Sequence, residues 1–191
     1  YNAPELYRRQ AAMSEMAKFY GLPIFGVGGC SDSCAFDVQA GIEQGYTLLM
    51  AALSGVNLVH DVGYLGQGMI SSWDMIVSSN ETIGLIKQML KSVDVGKEDL
   101  ALDVISEVGP GGNFLSHPHT MEHFKAELWM PKLANRKSYV NWKQEGCITY
   151  EKKVRQEVKN IIENYRCEEL PEDVRKGIEK LLQCAEKELV Q

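Results

Sequence analysis

The sequence lacks the features of several protein classes. No Lys or Arg cluster is longer than a dipeptide, and 26 acidic against 20 basic residues give a net charge of −6. A nucleic-acid-binding surface is therefore not expected. No apolar run approaches the roughly 20 residues that span a bilayer, and the first residues do not resemble a signal peptide. The five cysteines are odd in number and form no CxxC pair, which indicates reduced thiols and a cytoplasmic protein.

Strands are also scarce. Two short apolar runs, 24–27 and 56–59, predict parallel strands, and the helical pattern of 35–53 between them predicts the crossover. Residues 113–115 are predicted as either a short third strand or a loop. Hydrophobic residues make up 45% of the 191 residues, which is enough for one domain with a substantial core.

Helical patterns fill most of the remaining chain. Helix formers dominate 5–20, and Gly21 ends that segment. Apolar spacing and capping residues predict the other helices. These are 73–77, 81–90 with Asn80 as cap, 97–108, 120–128 with Thr120 as cap, 138–144, 149–165 and a last helix opened by Pro171.

The small number of predicted strands implies an incomplete sheet. A parallel sheet of two to four strands would leave its edges unpaired. We therefore expect an α/β fold whose remaining strands come from chain that precedes residue 1. A partner subunit, which would make the protein a homo-oligomer, is the alternative source.

The ends of the two predicted strands form the candidate site. A glycine-rich turn at 26–34 follows the first strand, and His60-Asp61 follows the second. The carboxyl ends of parallel strands are the ligand-facing edge of α/β folds. We predict His60 and Asp61 as catalytic residues, and Asp32 and Ser33 as substrate-binding residues. A helix cap at Asp32 and a packing role for His60 are the structural alternatives.

Aromatic and polar residues further along extend this hypothesis. Carboxylates at both turns would favour a cationic ligand, and Tyr64 and Trp73 could add cation–π attraction of roughly 0.5–2 kcal/mol each. Gln67 and His119 complete the predicted substrate-binding set.

Three histidines, His117, His119 and His123, raise the question of a metal site. With Thr120 as the cap, His119 would lie outside the helix, and no Cys or carboxylate cluster stands at ligand spacing. We therefore predict no metal ligands and expect packed, hydrogen-bonded or substrate-facing histidines.

Several motifs resemble one family. They are Gly28-Gly-Cys-Ser-Asp-Ser33, Asp37-Val-Gln-Ala40, Glu43, Ala52-Leu-Ser-Gly-Val-Asn57, Asn113-Phe-Leu-Ser-His-Pro-His-Thr120, His123-Phe124, Leu128-Trp-Met-Pro131 and Tyr139-x-x-Trp142. In this order they resemble the corrinoid-dependent trimethylamine methyltransferase superfamily. The resemblance implies the C-terminal portion of a (β/α)8 TIM-type barrel with extra C-terminal helices. The chain, 1–191, would then be one domain, with βα units in 1–115 and a mainly helical extension in 116–191.

The resemblance also implies an activity. A methyl group would move from a methylated amine to the Co(I) corrinoid of a partner protein, and this chain itself would bind no cofactor. Family members that use trimethylamine contain pyrrolysine, and the 191 residues contain none, so a quaternary amine is the expected substrate. A metal-dependent barrel hydrolase and a non-catalytic interaction module are the competing hypotheses.

Overall fold

Helices dominate the computed structural model, which describes residues 2–189. Residues Tyr1–Val158 form one compact unit and Lys159–Gln191 a second. In chain order the elements are α1 (Pro4–Phe19), β1 (Phe25–Val27), α2 (Val38–Ser54), β2 (Leu58–His60), β3 (Tyr64–Leu65), β4 (Ile70–Ser71), α3 (Trp73–Met89), α4 (Lys97–Leu100), α5 (Leu102–Val108), α6 (Pro118–Glu127), α7 (Tyr139–Gln144), α8 (Tyr150–Asn164) and α9 (Glu172–Leu189). The fold is α/β and mostly helical, and the described residues contain no closed barrel.

Strands β1 and β2 pair in parallel across the α2 crossover, as the sequence predicts. The register sets Phe25 against Leu58, Gly26 against Val59 and Val27 against His60. Asp37 is the N-cap of α2, where its carboxylate accepts from the Ala40 amide. The helix therefore begins at Val38, three residues after the start of the predicted helical pattern.

Helices cover only one face of this two-stranded sheet. A Cβ atom added at Gly26 would lie 2.9 Å from the Val56 side chain and 3.1 Å from the Gln10 side chain of α1. Side chains alternate between the faces of a strand, and on the opposite face Phe25 and Leu58 are 64% and 57% exposed. We call the surface that carries Phe25, Leu58 and His60 the open face.

The outer edge of β1 is partly occupied. The side chain of Gln10 accepts from the Val27 amide at 2.7 Å and donates to the Val27 carbonyl at 3.4 Å. A side-chain amide therefore satisfies the backbone groups that a neighbouring strand would otherwise pair with.

The segment 61–72, for which neither strand nor helix is predicted, contains a small antiparallel hairpin. Tyr64 pairs with Ser71, and Leu65 with Ile70. Leu65 is 3% exposed and belongs to the core cluster with Ala40 and Met75. Burial of this one side chain anchors a segment whose glycines suggested only a loop.

One continuous helix, α3, replaces the two helices predicted for 73–90. Ser72 is its N-cap and accepts from the Met75 amide at 3.2 Å, whereas Asn80 lies in the helix interior. Its apolar residues are unequally buried, because Ile86 is 6% exposed but Met89 is 61% exposed. Small polar residues, Ser78 and Ser79, are buried instead.

Two further boundaries differ from the predictions. The expected helix 97–108 is divided at Ala101, whose φ of +46° lies in the left-handed region. Helix α6 begins at Pro118 with His117 as its N-cap, so Thr120 is not the cap. Proline suits the first helical position because that residue needs no amide donor.

The remaining helices lie where they were expected. Ser138 caps α7, and α8 and α9 start within one residue of their predicted positions. Residues 113–115 form no strand. Within 2–189, no helix combines the length and apolar character needed to cross a membrane.

The capping of α3 gives a direct test of its start. We expect Ser72→Ala to lower the free energy of unfolding by about 1 kcal/mol, because the Met75 amide loses its acceptor. Asn80→Ala is the matched control and should leave stability unchanged or raise it by about 0.5 kcal/mol, since alanine is the better helix former. Urea denaturation of both variants measures these effects, and the reverse ranking would place the helix start at Asn80.

Candidate active site

The loops after β1 and β2 run side by side at the carboxyl ends of the strands. Backbone hydrogen bonds join Gly28 to His60, Gly63 to Gly29, Ser31 to Tyr64 and Gly66 to Ser33, at 2.8–3.2 Å. The two predicted turns are therefore adjacent. Gly29 and Gly63 both have positive φ, which glycine adopts without steric cost.

His60 and Asp61 form a close pair at this edge. His60 Nδ1 lies 2.9 Å from Asp61 Oδ1, with the histidine side chain 47% and the aspartate side chain 16% exposed. Because His60 is the last residue of β2 and alternates with Val59, its ring projects from the open face, 6.0 Å from the Phe25 ring centre. The pair is thus on the uncovered side of the sheet.

The backbone and electrostatics of Asp61 are unusual. Its φ of +70° is in the left-handed region, a conformation that costs energy for a residue with a Cβ. Burial raises the pKa of its carboxyl group above the ordinary value, because desolvation disfavours the charged form. A cationic neighbour would offset this cost.

Asp32 is engaged by the protein itself. Both carboxylate oxygens accept from the backbone amide of Asn2 at 3.1–3.2 Å, and Oδ1 also accepts from the Asn2 side chain. Asn2 is 3% exposed, and Tyr7 donates to its side-chain oxygen. A substrate at Asp32 would have to share the carboxylate with these amide donors.

The other predicted strand-end residues have different environments. Ser33 is buried, donates to Asp37 and shapes its own loop. Tyr64 in β3 is 38% exposed and Trp73 at the start of α3 is 69% exposed. Gln67 lies in the turn between β3 and β4 with a φ of +61°.

The structure does not bring His119 to this edge. The Ser72 amide bonds to Gly63, which fixes the start of α3 beside the strand ends. The far end of α3 contacts α6 instead, where Gln88 donates to the Glu127 carbonyl at 3.3 Å. Since α3 has 17 residues, its two ends lie about 24 Å apart, and His119 borders a cavity with Gln88 at the far end.

Glu43 is a site residue that the sequence reasoning did not select. From α2 its carboxylate accepts from the Ser31 hydroxyl at 2.6 Å and from the Asp32 amide at 2.7 Å. It therefore holds the first loop in place. No periodicity marks this role, because the contact depends on how the turn folds back over α2.

The thiol of Cys30 is a packing group. It is fully buried and donates to Asn2 at 3.1 Å. Burial raises its pKa, so little reactive thiolate forms. Cys34 is exposed.

Comparisons with known proteins identify the family of the chain. The family described as Trimethylamine methyltransferase (MTTB) matches residues 2–189. Trimethylamine methyltransferase MttB from Desulfitobacterium hafniense (strain DSM 10664 / DCB-2) is 33% identical over 186 residues, which are 97% of this chain and 37% of the relative. Glycine betaine methyltransferase from D. hafniense (strain Y51) is 38% identical over 144 residues, 75% of this chain and 30% of the relative.

An archaeal relative shows the same coverage. Trimethylamine methyltransferase MttB from Methanosarcina barkeri (strain Fusaro / DSM 804) is 31% identical over 185 residues, 97% of this chain and 37% of the relative. The chain thus spans only 30–37% of the length of these relatives.

The raised pKa of Asp61 predicts a pH-dependent loss of stability. Between about pH 3.9, the ordinary Asp pKa, and the raised value, the folded state binds more protons than the unfolded state. Its stability therefore falls as pH rises through this window. We expect Asp61→Asn to remove this contribution, so that the stability difference between wild type and variant shrinks with pH and then levels off.

Urea unfolding between pH 3.5 and 6.5 measures that difference. Asp94→Asn changes an exposed carboxylate and is the matched control, which should keep the wild-type slope. An Asp61→Asn slope equal to that of wild type would show that burial does not perturb this group.

Proposed function

The chain belongs to the trimethylamine methyltransferase family, and from this premise we propose that the whole protein moves a methyl group from a methylated amine to the corrinoid of a partner protein. The observation that carries the proposal is the His60–Asp61 pair at the carboxyl ends of β1 and β2, on the open face. This edge is where parallel α/β folds place their ligands.

We propose further that β1 and β2 are adjacent strands of a (β/α)8 barrel. In such a barrel helices cover the outside, and the opposite face points to the interior. The sheet has this asymmetry, since Gly26 packs under Val56 and Gln10 while Phe25 and Leu58 are exposed. His60 would then project into the barrel mouth. A further strand beside β1 would have to displace Gln10 from Val27.

The favoured substrate is a quaternary amine of the betaine type. Such a cation suits a site with carboxylates at Asp61 and Asp32, because each partly buried carboxylate gains from an opposite charge nearby. Tyr64 and Trp73 have exposed rings beside this edge, of the kind that bind quaternary ammonium by cation–π attraction. The 191 residues contain no pyrrolysine, and one relative is named a glycine betaine methyltransferase.

The chain's own groups have defined tasks in this scheme. Asp61 stabilises the ammonium charge and orients the His60 ring. His60, with its half-exposed ring, positions the amine so that one N-methyl group faces the mouth. The leaving group is a neutral tertiary amine, so departure from a quaternary substrate needs no proton.

The corrinoid fits this scheme as a group carried by the partner rather than by this chain. When bound, Co(I) supplies the nucleophile that accepts the methyl group. We expect a cytoplasmic location because all five cysteines are free.

A barrel hydrolase would need metal ligands at the same strand ends. Within the described part of the chain, the one group of at least three His, Cys or acidic side chains close enough to share an ion is Glu98, His119 and His123. That group lies at the other end of α3, so the strand-end geometry favours methyl transfer.

Methyl transfer can be tested with a Co(I) corrinoid protein and a panel of amines. We expect loss of the Co(I) absorbance with glycine betaine or a related quaternary amine. His60→Ala should slow this reaction by at least about 100-fold, the lower range for loss of a positioned catalytic side chain. Stopped-flow absorbance at fixed corrinoid concentration measures the rate.

His117→Asn is the matched control, because His117 caps α6 and asparagine retains that function. Its rate should equal that of wild type. A flat response to every betaine and methylamine would refute the proposed activity, whereas a normal rate for His60→Ala would refute only the site.

A further inference from the structure

The pair of histidines on α6 is placed for joint binding. Because α6 begins at Pro118, His119 and His123 both lie within the helix, four residues apart on one face. Their rings stack with centres 4.3 Å apart and planes 25° from parallel. Both are only partly buried, so a solvent ion can reach them.

Glu98 of α4 meets both rings. His123 Nε2 lies 3.5 Å from the Glu98 carboxylate, and His119 Nε2 lies 3.1 Å from the Glu98 carbonyl oxygen. One ligand atom from each of the three side chains falls within 4.8 Å of the others. We propose that Glu98, His119 and His123 bind a divalent transition-metal ion of the Zn²⁺ or Co²⁺ class.

The donor set fits this class of metal. Two imidazole nitrogens and one carboxylate oxygen are ligands that zinc takes at about 2.0–2.2 Å, which places tetrahedral ligand atoms roughly 3.3 Å apart. Modest side-chain rotations of the exposed Glu98 and the partly buried histidines would shorten the distances between their ligand atoms from at most 4.8 Å to this value. The carbonyl oxygen of Glu98 is available as a fourth donor.

The surroundings favour a cation. His119 and His123 border a cavity of about 380 Å³ whose lining also includes Asp94, Asp99 and Glu127. Lys91 is the one lining cation among the described residues, and its ammonium lies 3.5 Å from Glu127. The acidic excess would attract a dication to this cavity.

The expected role of the ion is structural. It would tie the four-residue α4 to α6, across a segment whose backbone turns at Ala101 in the left-handed region. The site lies beside the far end of α3, and the two ends of that helix are about 24 Å apart. It is therefore independent of the proposed methyl transfer, and either hypothesis can fail without the other.

Titration of the metal-free chain with Co²⁺ tests the site, because bound Co²⁺ shows a ligand-dependent visible spectrum. We expect one ion per chain, displacement by Zn²⁺ and a higher melting temperature with Zn²⁺. His119→Ala, His123→Ala and Glu98→Gln should each weaken binding by at least about 100-fold, since partners behind a ligand alone contribute roughly 10–100-fold.

Two variants serve as matched controls. Glu122→Gln alters an exposed carboxylate on the same helix, and His117→Asn alters a histidine outside the group; both should bind like wild type. Circular dichroism in EDTA checks that each variant keeps its helices. The absence of one-to-one binding, or binding that survives both His119→Ala and His123→Ala, would overturn the proposal.

Discussion

Parallel pairing of β1 with β2 is the constraint on which the site depends. It places His60 opposite Val27 and brings the two following loops into hydrogen-bonding register. Close packing behind the sheet requires Gly26, because a Cβ there would lie 2.9 Å from Val56. The helices thereby cover one face, and the His60 ring is left on the other.

The spacing of apolar residues in the sequence was sufficient to predict the elements that local signals determine. The β1–α2–β2 unit and the position of its strand ends follow from two apolar runs and a helical pattern. Errors arose where burial overrode local signals. Leu65 anchors a hairpin within a glycine-rich segment, and Ser78 and Ser79 are buried inside α3, where a polar run suggested a break.

The environments of Asp32 and His119 depend on contacts with residues far away in the sequence, which local sequence patterns do not predict. Asn2 meets Asp32 across 30 positions, and His119 meets Glu98 across 21. No local pattern encodes either approach. In the structure, the residues predicted to form one site fall into two separate sets. Carboxylates and aromatic rings lie at the strand ends, whereas His119 lies beyond the far end of α3, where imidazole and carboxylate ligands suit a metal ion.

Titration of the histidine ring resonances with glycine betaine tests most directly whether the open face is the amine site. The chain has four histidines, and ¹⁵N-labelled rings report on each of them by NMR. Binding at the strand ends predicts a saturable shift of the His60 resonances, with those of His117, His119 and His123 unchanged. A shift confined to His119 and His123, or no shift at His60 at saturating amine, would contradict the account.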